Sequence, residues 1–175
     1  MSEWPVRMSG RNETEDAYGS NDRAVETALD CGYRHIDTAY VYKSEEEVGT
    51  GIQNWLKKTG RKREEIFVVT KLPSIGMFPE KVEKFLRLSL KKLKLEYIDL
   101  YLIHGPFGLK AKNEDDVFPL KEDGKLDFDF GTDHIAIWKE MERMVGLGLT
   151  KSIGISNFSI KQTRKLIAVS KIPPQ

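Results

Sequence analysis

The sequence predicts an α/β fold built on a parallel sheet of about four strands. Four short apolar runs each end in a polar or ionisable residue, and segments of helical periodicity separate them. Such alternation implies right-handed crossovers between parallel strands. A barrel of eight strand–helix units needs ~250 residues. The 175 residues of this chain therefore predict a partial barrel of the (β/α)8 TIM-barrel type with flanking helices.

Composition argues against several classes of function. The net charge is +1, so no strongly basic surface favours nucleic acid or an anionic membrane. No stretch approaches the ~20 apolar residues of a membrane span, and the first residues lack a secretory signal. The single cysteine, Cys31, permits no intrachain disulfide, which favours a cytoplasmic location. We expect Cys31 to be a small core residue on an apolar helical stripe.

The first half of the chain alternates helices with strands. A helix over about residues 22–31 precedes the first strand, Tyr33–Asp37. Ser44–Glu47 has the pattern of a capping box and is expected to start the second helix. The second strand, Ile66–Lys71, is continuously apolar, as in a strand covered on both faces. Pro79 is expected to open the third helix.

The second half repeats this order around one long loop. The third strand ends in His104, and the polar stretch that follows, 105–132, is long enough to predict a functional loop. Asp133 is expected to start the next helix, which leads to a strand around Ser152–Ile155. Ser159–Gln162 is a second capping box and predicts the last helix.

Polar side chains follow the ends of all four predicted strands. Asp37, Lys71, His104 and the pair Ser156 and Asn157 occupy these positions. Because the carboxyl ends of parallel strands meet at one edge, we expect these side chains to lie close together. An acid, a base, an imidazole and an amide at one edge predict an active site.

Tyr42 adds a phenol to this edge, five positions after Asp37. A free phenol titrates near ~10, and a nearby cation favours the phenolate. Beside Lys71, with Asp37 holding the ammonium, Tyr42 would give a proton to a carbonyl oxygen during reduction. His104 would donate a hydrogen bond to the same oxygen.

The hydride of such a reduction must come from a cofactor, since no side chain donates one. The chain has no Gly-x-Gly-x-x-Gly after a strand, so a Rossmann site is not indicated. Ser156 and Asn157 would hold a nicotinamide carboxamide. The three histidines lack the spacing of zinc ligands, so we predict no metal, and no Gly-x-Ser-x-Gly indicates a serine hydrolase.

Each of these residues also has a structural interpretation. Taken singly, Asp37 is typical of a loop cap, Tyr42 of a core aromatic residue and Lys71 of a strand end that reaches water. His104 is typical of a core histidine, and Ser156–Asn157 of a turn at the start of a helix. Their occurrence together at successive strand ends favours the catalytic interpretation.

Several of these segments resemble the aldo-keto reductase family, in order and near-family spacing. They are Gly32–Tyr42, Glu45–Gly49, Val69–Leu72, Asp99–His104 and Ile153–Phe158. The resemblance covers residues 23–174 and implies a (β/α)8 barrel that reduces aldehydes or ketones with NADPH, mostly as a monomer. It also implies a catalytic tetrad of Asp37, Tyr42, Lys71 and His104, and cofactor contacts by Asp37, Ser156 and Asn157.

The chain also departs from the family pattern. Residues 1–20 do not resemble the opening hairpin and are expected to be poorly ordered, leaving 21–175 as the barrel domain. Pro73 and Gly105 stand where many relatives have tryptophan, and the 105–132 loop is expected to edge the substrate pocket.

A partial barrel leaves two interpretations. The chain is either an NADPH-dependent carbonyl reductase or a catalytically inert, truncated fragment or isoform of one. The basic residues that grip the cofactor phosphate in the family would lie in a missing second half, so we expect little or no turnover by this polypeptide alone. Because a partial barrel exposes strand edges, we also expect it to self-associate.

Overall fold

The computed structural model describes residues 21–175. Its helices are α1 (Asn21–Asp30), α2 (Glu45–Thr59), α3 (Val82–Leu93), α4 (His134–Gly146) and α5 (Ile160–Ile167). Its strands are β1 (His35–Asp37), β2 (Phe67–Leu72), β3 (Ile98–Ile103), β4 (Gly108–Leu109), β5 (Phe128–Asp129) and β6 (Thr150–Ile155). The segment 1–20, predicted to be poorly ordered, lies outside the described residues.

The four predicted strands form one parallel sheet in the order β1-β2-β3-β6. Asp37 pairs with Val69, Lys71 pairs with Leu102, and Ile103 pairs with Ile155. The helices alternate with these strands along the chain, which confirms the prediction of a partial α/β barrel. The register also places the ends of the strands, and the polar residues after them, along one edge.

The buried core lies between the sheet and the helices. Its largest fully buried side chains include Trp55 of α2, Leu86 of α3, Tyr101 of β3 and Trp138 of α4. Gly49 brings α2 close to the end of α3, since a Cβ at this position would lie 2.6 Å from a backbone atom of Leu93. Dense packing therefore holds α2 and its first residues against α3.

The two predicted capping boxes have different outcomes. Ser159 has an extended backbone, with ψ of 156°, and its hydroxyl accepts a hydrogen bond from the Gln162 amide at 3.3 Å, as predicted. Ser44 makes no side-chain cap hydrogen bond. The preceding residue, Lys43, is left-handed, and Ser44 itself has φ −107° and ψ 1°, outside the extended conformation that a cap requires. The capping box at Ser44–Glu47 was therefore a wrong prediction.

Cys31 is a second correction. It lies just beyond the end of α1 and is exposed, so it is not a core residue. The helix stops at Asp30 because the chain turns at Gly32, whose φ is +100°. The apolar stripe of α1 is carried instead by buried Leu29, with Val25 partly buried.

The long loop after β3 has structure of its own. β4 and β5 pair antiparallel, Gly108 with Asp129 and Leu109 with Phe128, and fold the stretch 105–132 back on itself. Val117 is buried in the main core. In the part of the chain that the structure describes, no helix is both long and apolar enough to cross a membrane.

Candidate active site

Lys71 is the centre of the candidate site. It lies near the end of β2, and only 6% of its side chain is exposed. Its ammonium forms an ion pair with the carboxylate of Asp37 and donates a hydrogen bond to the carbonyl oxygen of Thr38 at 3.0 Å. A third contact, 3.4 Å long, joins the ammonium to the hydroxyl of Tyr42. One buried cation therefore holds an acid and a phenol together.

Tyr42 comes from the short turn after β1. The turn is a 3-10 helix over Tyr40–Tyr42 that ends at Lys43, a left-handed residue with φ 56°. The ring of Tyr42 meets the ring of His104 edge to face, with centroids 5.6 Å apart. About half of Tyr42, 52%, is exposed, so its hydroxyl is accessible from solvent on one side and fixed by Lys71 on the other.

His104 follows β3 directly, and its amide donates to the Leu72 carbonyl at 3.2 Å. Burial lowers the pKa of the imidazole, and the nearby ammonium of Lys71 lowers this pKa further, while the carboxylate of Asp37 opposes both. The ring is therefore held neutral at neutral pH. A neutral imidazole beside Tyr42 can donate one hydrogen bond to a bound molecule.

Ser156 and Asn157 follow β6 and join its end to that of β3. The Ser156 amide donates to the Ile103 carbonyl at 2.9 Å, and Asn157 Nδ2 donates to the His104 carbonyl at 2.8 Å. Asn157 has a left-handed backbone, with φ 62°. Asparagine adopts this conformation more readily than most residues, and here it turns the amide side chain back over the edge of the sheet.

Three of these residues, Tyr42, His104 and Asn157, line a cleft of about 400 Å³. Tyr42, His104 and Asn157 form one part of its wall, and Phe107 and Phe118 of the long loop form another. The loop thus edges this cleft, in agreement with the sequence prediction. A larger depression, about 540 Å³, lies between α2 and α3 and is lined mainly by charged side chains of those helices; none of the predicted site residues lines it.

The structure brings together all the residues predicted for the site, but the sequence did not reveal everything that positions them. The Thr38 carbonyl that orients Lys71 has no side-chain signature. Phe107 and Phe118 lie in the long polar loop, where the available sequence signal was the presence of four phenylalanines among many charged residues.

Comparison with known proteins agrees with this geometry. The model of the Aldo/keto reductase family matches residues 7–175. The chain belongs to the aldo-keto reductase family. The match begins at residue 7, so it includes most of the segment 1–20, which was expected not to resemble the family.

Individual relatives give the same result. The chain is 41% identical over 170 residues to "Aldo-keto reductase family 1 member A1" of Xenopus tropicalis, a match that covers 97% of this chain and 51% of that relative. It is 45% identical over 140 residues to "Aldo-keto reductase family 1 member C13" of Mus musculus, covering 80% of this chain and 42% of the relative. The chain thus spans about half the length of the curated relatives it matches.

Solved structures support the fold. The aldose reductase structure from Schistosoma japonicum has a TM-score of 0.86 and 44% sequence identity, over 90% of this chain and 51% of that one. The aldose reductase from Giardia lamblia has a TM-score of 0.84 and 35% identity, over 89% and 51% of the two chains. The four parallel strands of this aldo-keto reductase chain therefore correspond to part of a (β/α)8 barrel.

Proposed function

We propose that this chain carries the chemical machinery of an NADPH-dependent reductase that converts an aldehyde or a ketone to an alcohol. One observation carries the proposal: the buried ammonium of Lys71 contacts both the Asp37 carboxylate and the hydroxyl of Tyr42, and Tyr42 lines a cleft. Family membership supports the reaction class, and the family resemblance supports NADPH as the cofactor.

In this proposal Tyr42 gives its hydroxyl proton to the carbonyl oxygen of the substrate. The phenolate that remains lies next to the ammonium of Lys71, which stabilises its negative charge. Asp37 and the Thr38 carbonyl keep that ammonium pointed at Tyr42. Proton loss from the phenol thus occurs where a compensating charge is already in place.

His104 supplies a second hydrogen-bond donor to the same substrate oxygen. Its edge-to-face contact with Tyr42 places the two side chains on one wall of the cleft. Because the imidazole is neutral, it orients the carbonyl without placing a second cation beside Lys71. The aromatic rings of Phe107 and Phe118 on the loop side suit a small carbonyl substrate with an apolar body.

The donor set also fits a nicotinamide carboxamide, which needs both a hydrogen-bond donor and an acceptor. Asn157, which lines the cleft, and the Ser156 hydroxyl, which accepts a hydrogen bond from it at 3.1 Å, offer both. The carboxylate of Asp37 is 58% exposed and can accept a hydrogen bond from a ribose hydroxyl. NADPH, when bound, supplies the hydride.

Replacement of Tyr42 by phenylalanine tests the proposal. The experiment follows NADPH oxidation by the 175-residue polypeptide with a simple aldehyde, and repeats it with NADH. Any turnover that the polypeptide shows should fall by about 10²–10⁴-fold in Tyr42→Phe, because the substitution removes the proton donor. Tyr33→Phe is the matched control, since Tyr33 is exposed and lies outside the cleft. Equal oxidation by both variants would refute the role of Tyr42.

A second candidate is that this polypeptide is a catalytically inert partial barrel. The exposure of the site favours it: 52% of Tyr42 and 58% of the Asp37 side chain face solvent. Water at these groups weakens the electrostatic stabilisation that a closed active site provides. Absence of any Tyr42-dependent NADPH oxidation would favour this candidate.

We also propose that the polypeptide acts in the cytoplasm and self-associates when produced alone. Among residues 21–175, β1 pairs with β2 alone and β6 pairs with β3 alone. The outer edge of β6 receives one backbone hydrogen bond, from the Gln175 amide to the Ile153 carbonyl at 3.1 Å, so most of both edges is open to another strand. Size-exclusion chromatography should show species larger than the 20.1 kDa chain. A sharp monomer peak together with cooperative thermal unfolding would contradict self-association.

A further inference from the structure

The first residue of α2, Glu45, is a buried carboxyl with no part in the mechanism above. Only 1% of Glu45 is exposed, although the sequence around it, Ser44–Glu47, is strongly polar. Its Oε1 accepts a hydrogen bond of 2.6 Å from the hydroxyl of Thr70, itself fully buried. A carboxyl placed in a core costs free energy, so its presence there calls for a physical reason.

Thr70 and Glu45 connect the two segments that carry the candidate proton donor and its cation. Thr70 immediately precedes Lys71 on β2, and the side chains of neighbouring strand residues point to opposite faces of the sheet. Glu45 follows Tyr42 by three positions. The hydrogen bond between them therefore joins the back of the strand that carries Lys71 to the end of the turn that carries Tyr42.

The start of that turn is already attached to β2. The Thr38 amide donates to the Val69 carbonyl at 3.0 Å, and Lys71 donates to the Thr38 carbonyl. The end of the turn has no comparable backbone attachment to β2, and Ser44 does not cap α2 with its side chain. Among the described residues, the contact of Glu45 with Thr70 is the side-chain hydrogen bond that fixes this end to the strand.

We infer that Glu45 is a positioning residue, which sets the distance between the Tyr42 hydroxyl and the Lys71 ammonium through its hydrogen bond with Thr70. This role rests on the proposed function. The bond fastens the second end of the 38–45 segment, so Tyr42 is held between two attachments to one strand. Without it, the start of α2 can move relative to β2, and the 3.4 Å contact between Tyr42 and Lys71 lengthens.

The role depends on the acceptor oxygen of Glu45 and not on a negative charge. Burial raises the pKa of this carboxyl, and the hydroxyls of Thr70 and Ser89 together with the charge of Lys92 oppose the rise only in part. Its second oxygen, Oε2, has no hydrogen-bond partner among residues 21–175, a position that suits an uncharged group better than an anion. The substitution Glu45→Gln, which keeps the acceptor oxygen, should therefore leave the position of Tyr42 unchanged.

Two matched pairs of variants of the 175-residue chain test the inference. Glu45→Gln and Thr70→Ser keep the hydrogen bond, whereas Glu45→Met and Thr70→Val remove it at similar side-chain volume. The structural readout is the NMR signal of the Cζ ring carbon of Tyr42 in protein made with isotope-labelled tyrosine, assigned with Tyr42→Phe. We expect this signal to move in Glu45→Met and Thr70→Val only, while the signal of exposed Tyr33 stays in place.

The kinetic readout uses the same variants. Glu45→Met and Thr70→Val should lower kcat by about tenfold and leave KM within about twofold, because a displaced proton donor impairs the chemical step more than binding. The double variant Glu45→Met/Thr70→Val should be no worse than either single variant, since both remove one bond. If Glu45→Met does not fold, Thr70→Val decides the question alone.

Three results would overturn the inference. They are an unmoved Tyr42 signal in folded Thr70→Val, an equal change in Glu45→Gln and Glu45→Met, or additive losses in the double variant. The NMR result stands even if no variant oxidises NADPH, in which case the proposed function fails and the positioning role is judged separately. Turnover that Tyr42→Phe abolishes and Thr70→Val leaves unchanged would keep the proposed function and remove this role.

Discussion

Each end of the parallel sheet holds an aspartate beside a lysine, and the two sites are built in opposite ways. At the amino end, the Asp99 side chain is 6% exposed and contacts two cations, Arg63 at 2.6 Å and Lys151 at 3.2 Å. At the carboxyl end the burial is reversed: the cation, Lys71, is 6% exposed and its partner Asp37 is 58% exposed.

The contacts around these charges show what the difference means. Asp99 also accepts a hydrogen bond from the Val68 amide at 2.9 Å, and the two cations lie over the Tyr97 ring at 4.4 and 4.2 Å. The buried carboxylate of Asp99 is thus paired with two cations and a backbone amide, and these contacts join β2, β3 and β6. At the carboxyl end, the Asp37 side chain faces solvent and Tyr42 lines the cleft, as the proposed reactive site requires.

The largest expected effect is on turnover, from the removal of the cation at the carboxyl end. Lys71→Met should lower NADPH oxidation by about 10²-fold or more, because no ammonium then stabilises the Tyr42 phenolate. The free energy of unfolding should change little, since Met is apolar and of similar volume and the exposed Asp37 carboxylate can be hydrated. The checks are steady-state kinetics and urea unfolding.

Lys151→Met is the matched control, since it removes the lysine of the amino end, which is 53% exposed. Turnover should be unchanged in this variant. If Lys71→Met retained turnover, or Lys151→Met lost it, the assignment of reactivity to one end of the sheet would be wrong.

The next largest expected effect is on the free energy of unfolding, and it comes from a substitution at the amino end of the sheet. Asp99→Asn leaves the guanidinium of Arg63, only 14% exposed, without its anion, so the free energy of unfolding should fall by about 3 kcal/mol. Urea unfolding measures the change. Turnover per folded molecule should stay constant, because Asp99 lies at the opposite end from the cleft.

An exposed ion pair provides the comparison for that loss. Asp30 pairs with Lys58 at 2.8 Å, with side-chain exposures of 44% and 59%. Asp30→Asn should scarcely alter unfolding, since water replaces the lost partner. Equal destabilisation by the substitutions at Asp99 and Asp30 would mean that burial does not distinguish these pairs.

The smallest expected effect is a pH dependence of the free energy of unfolding that comes from His104. Burial, together with Lys71, lowers the pKa of His104 in the folded state, so the unfolded chain binds more protons between that pKa and the ordinary value of about 6.5. The stabilising contribution is therefore present above about pH 6.5 and is lost as the pH falls toward the folded pKa.

The check compares urea unfolding at about pH 7.5 and about pH 5.5. His104→Gln should lose less stability between these conditions than the unsubstituted chain. His35→Gln is the control, because His35 is exposed on β1. If the His104 variant and the unsubstituted chain lost the same free energy of unfolding between the two pH values, the surroundings of the imidazole would not disfavour its charged form.

Much of the sheet and the convergence of the site residues could be predicted because each depends on a local pattern. Apolar runs that end in Asp37, Lys71 and His104 mark both the strands and the edge on which their side chains meet. Once the strands are parallel, sequence order alone brings these ends together. The catalytic roles of the residues remain predictions.

The errors occurred where a long-range contact overrides a local pattern. Ser44–Glu47 has the sequence of a capping box, but the turn that positions Tyr42 gives Ser44 the wrong backbone angles. The buried bond of Glu45 with Thr70 spans 25 positions in the chain, and no local pattern encodes it. The error at Cys31 has a local cause instead: the residue fits the apolar periodicity of α1 but falls one residue beyond the end of the helix, where the chain turns at Gly32.

The exposed position of Cys31 has a practical consequence. The chain has one thiol, and it lies on the outer surface, beyond the end of α1. A maleimide fluorophore would attach at this position alone, and its anisotropy would report the size of the assembled particle without a label in the cleft. The same thiol can join two copies covalently in air, so the assembly state should be compared with and without a reductant.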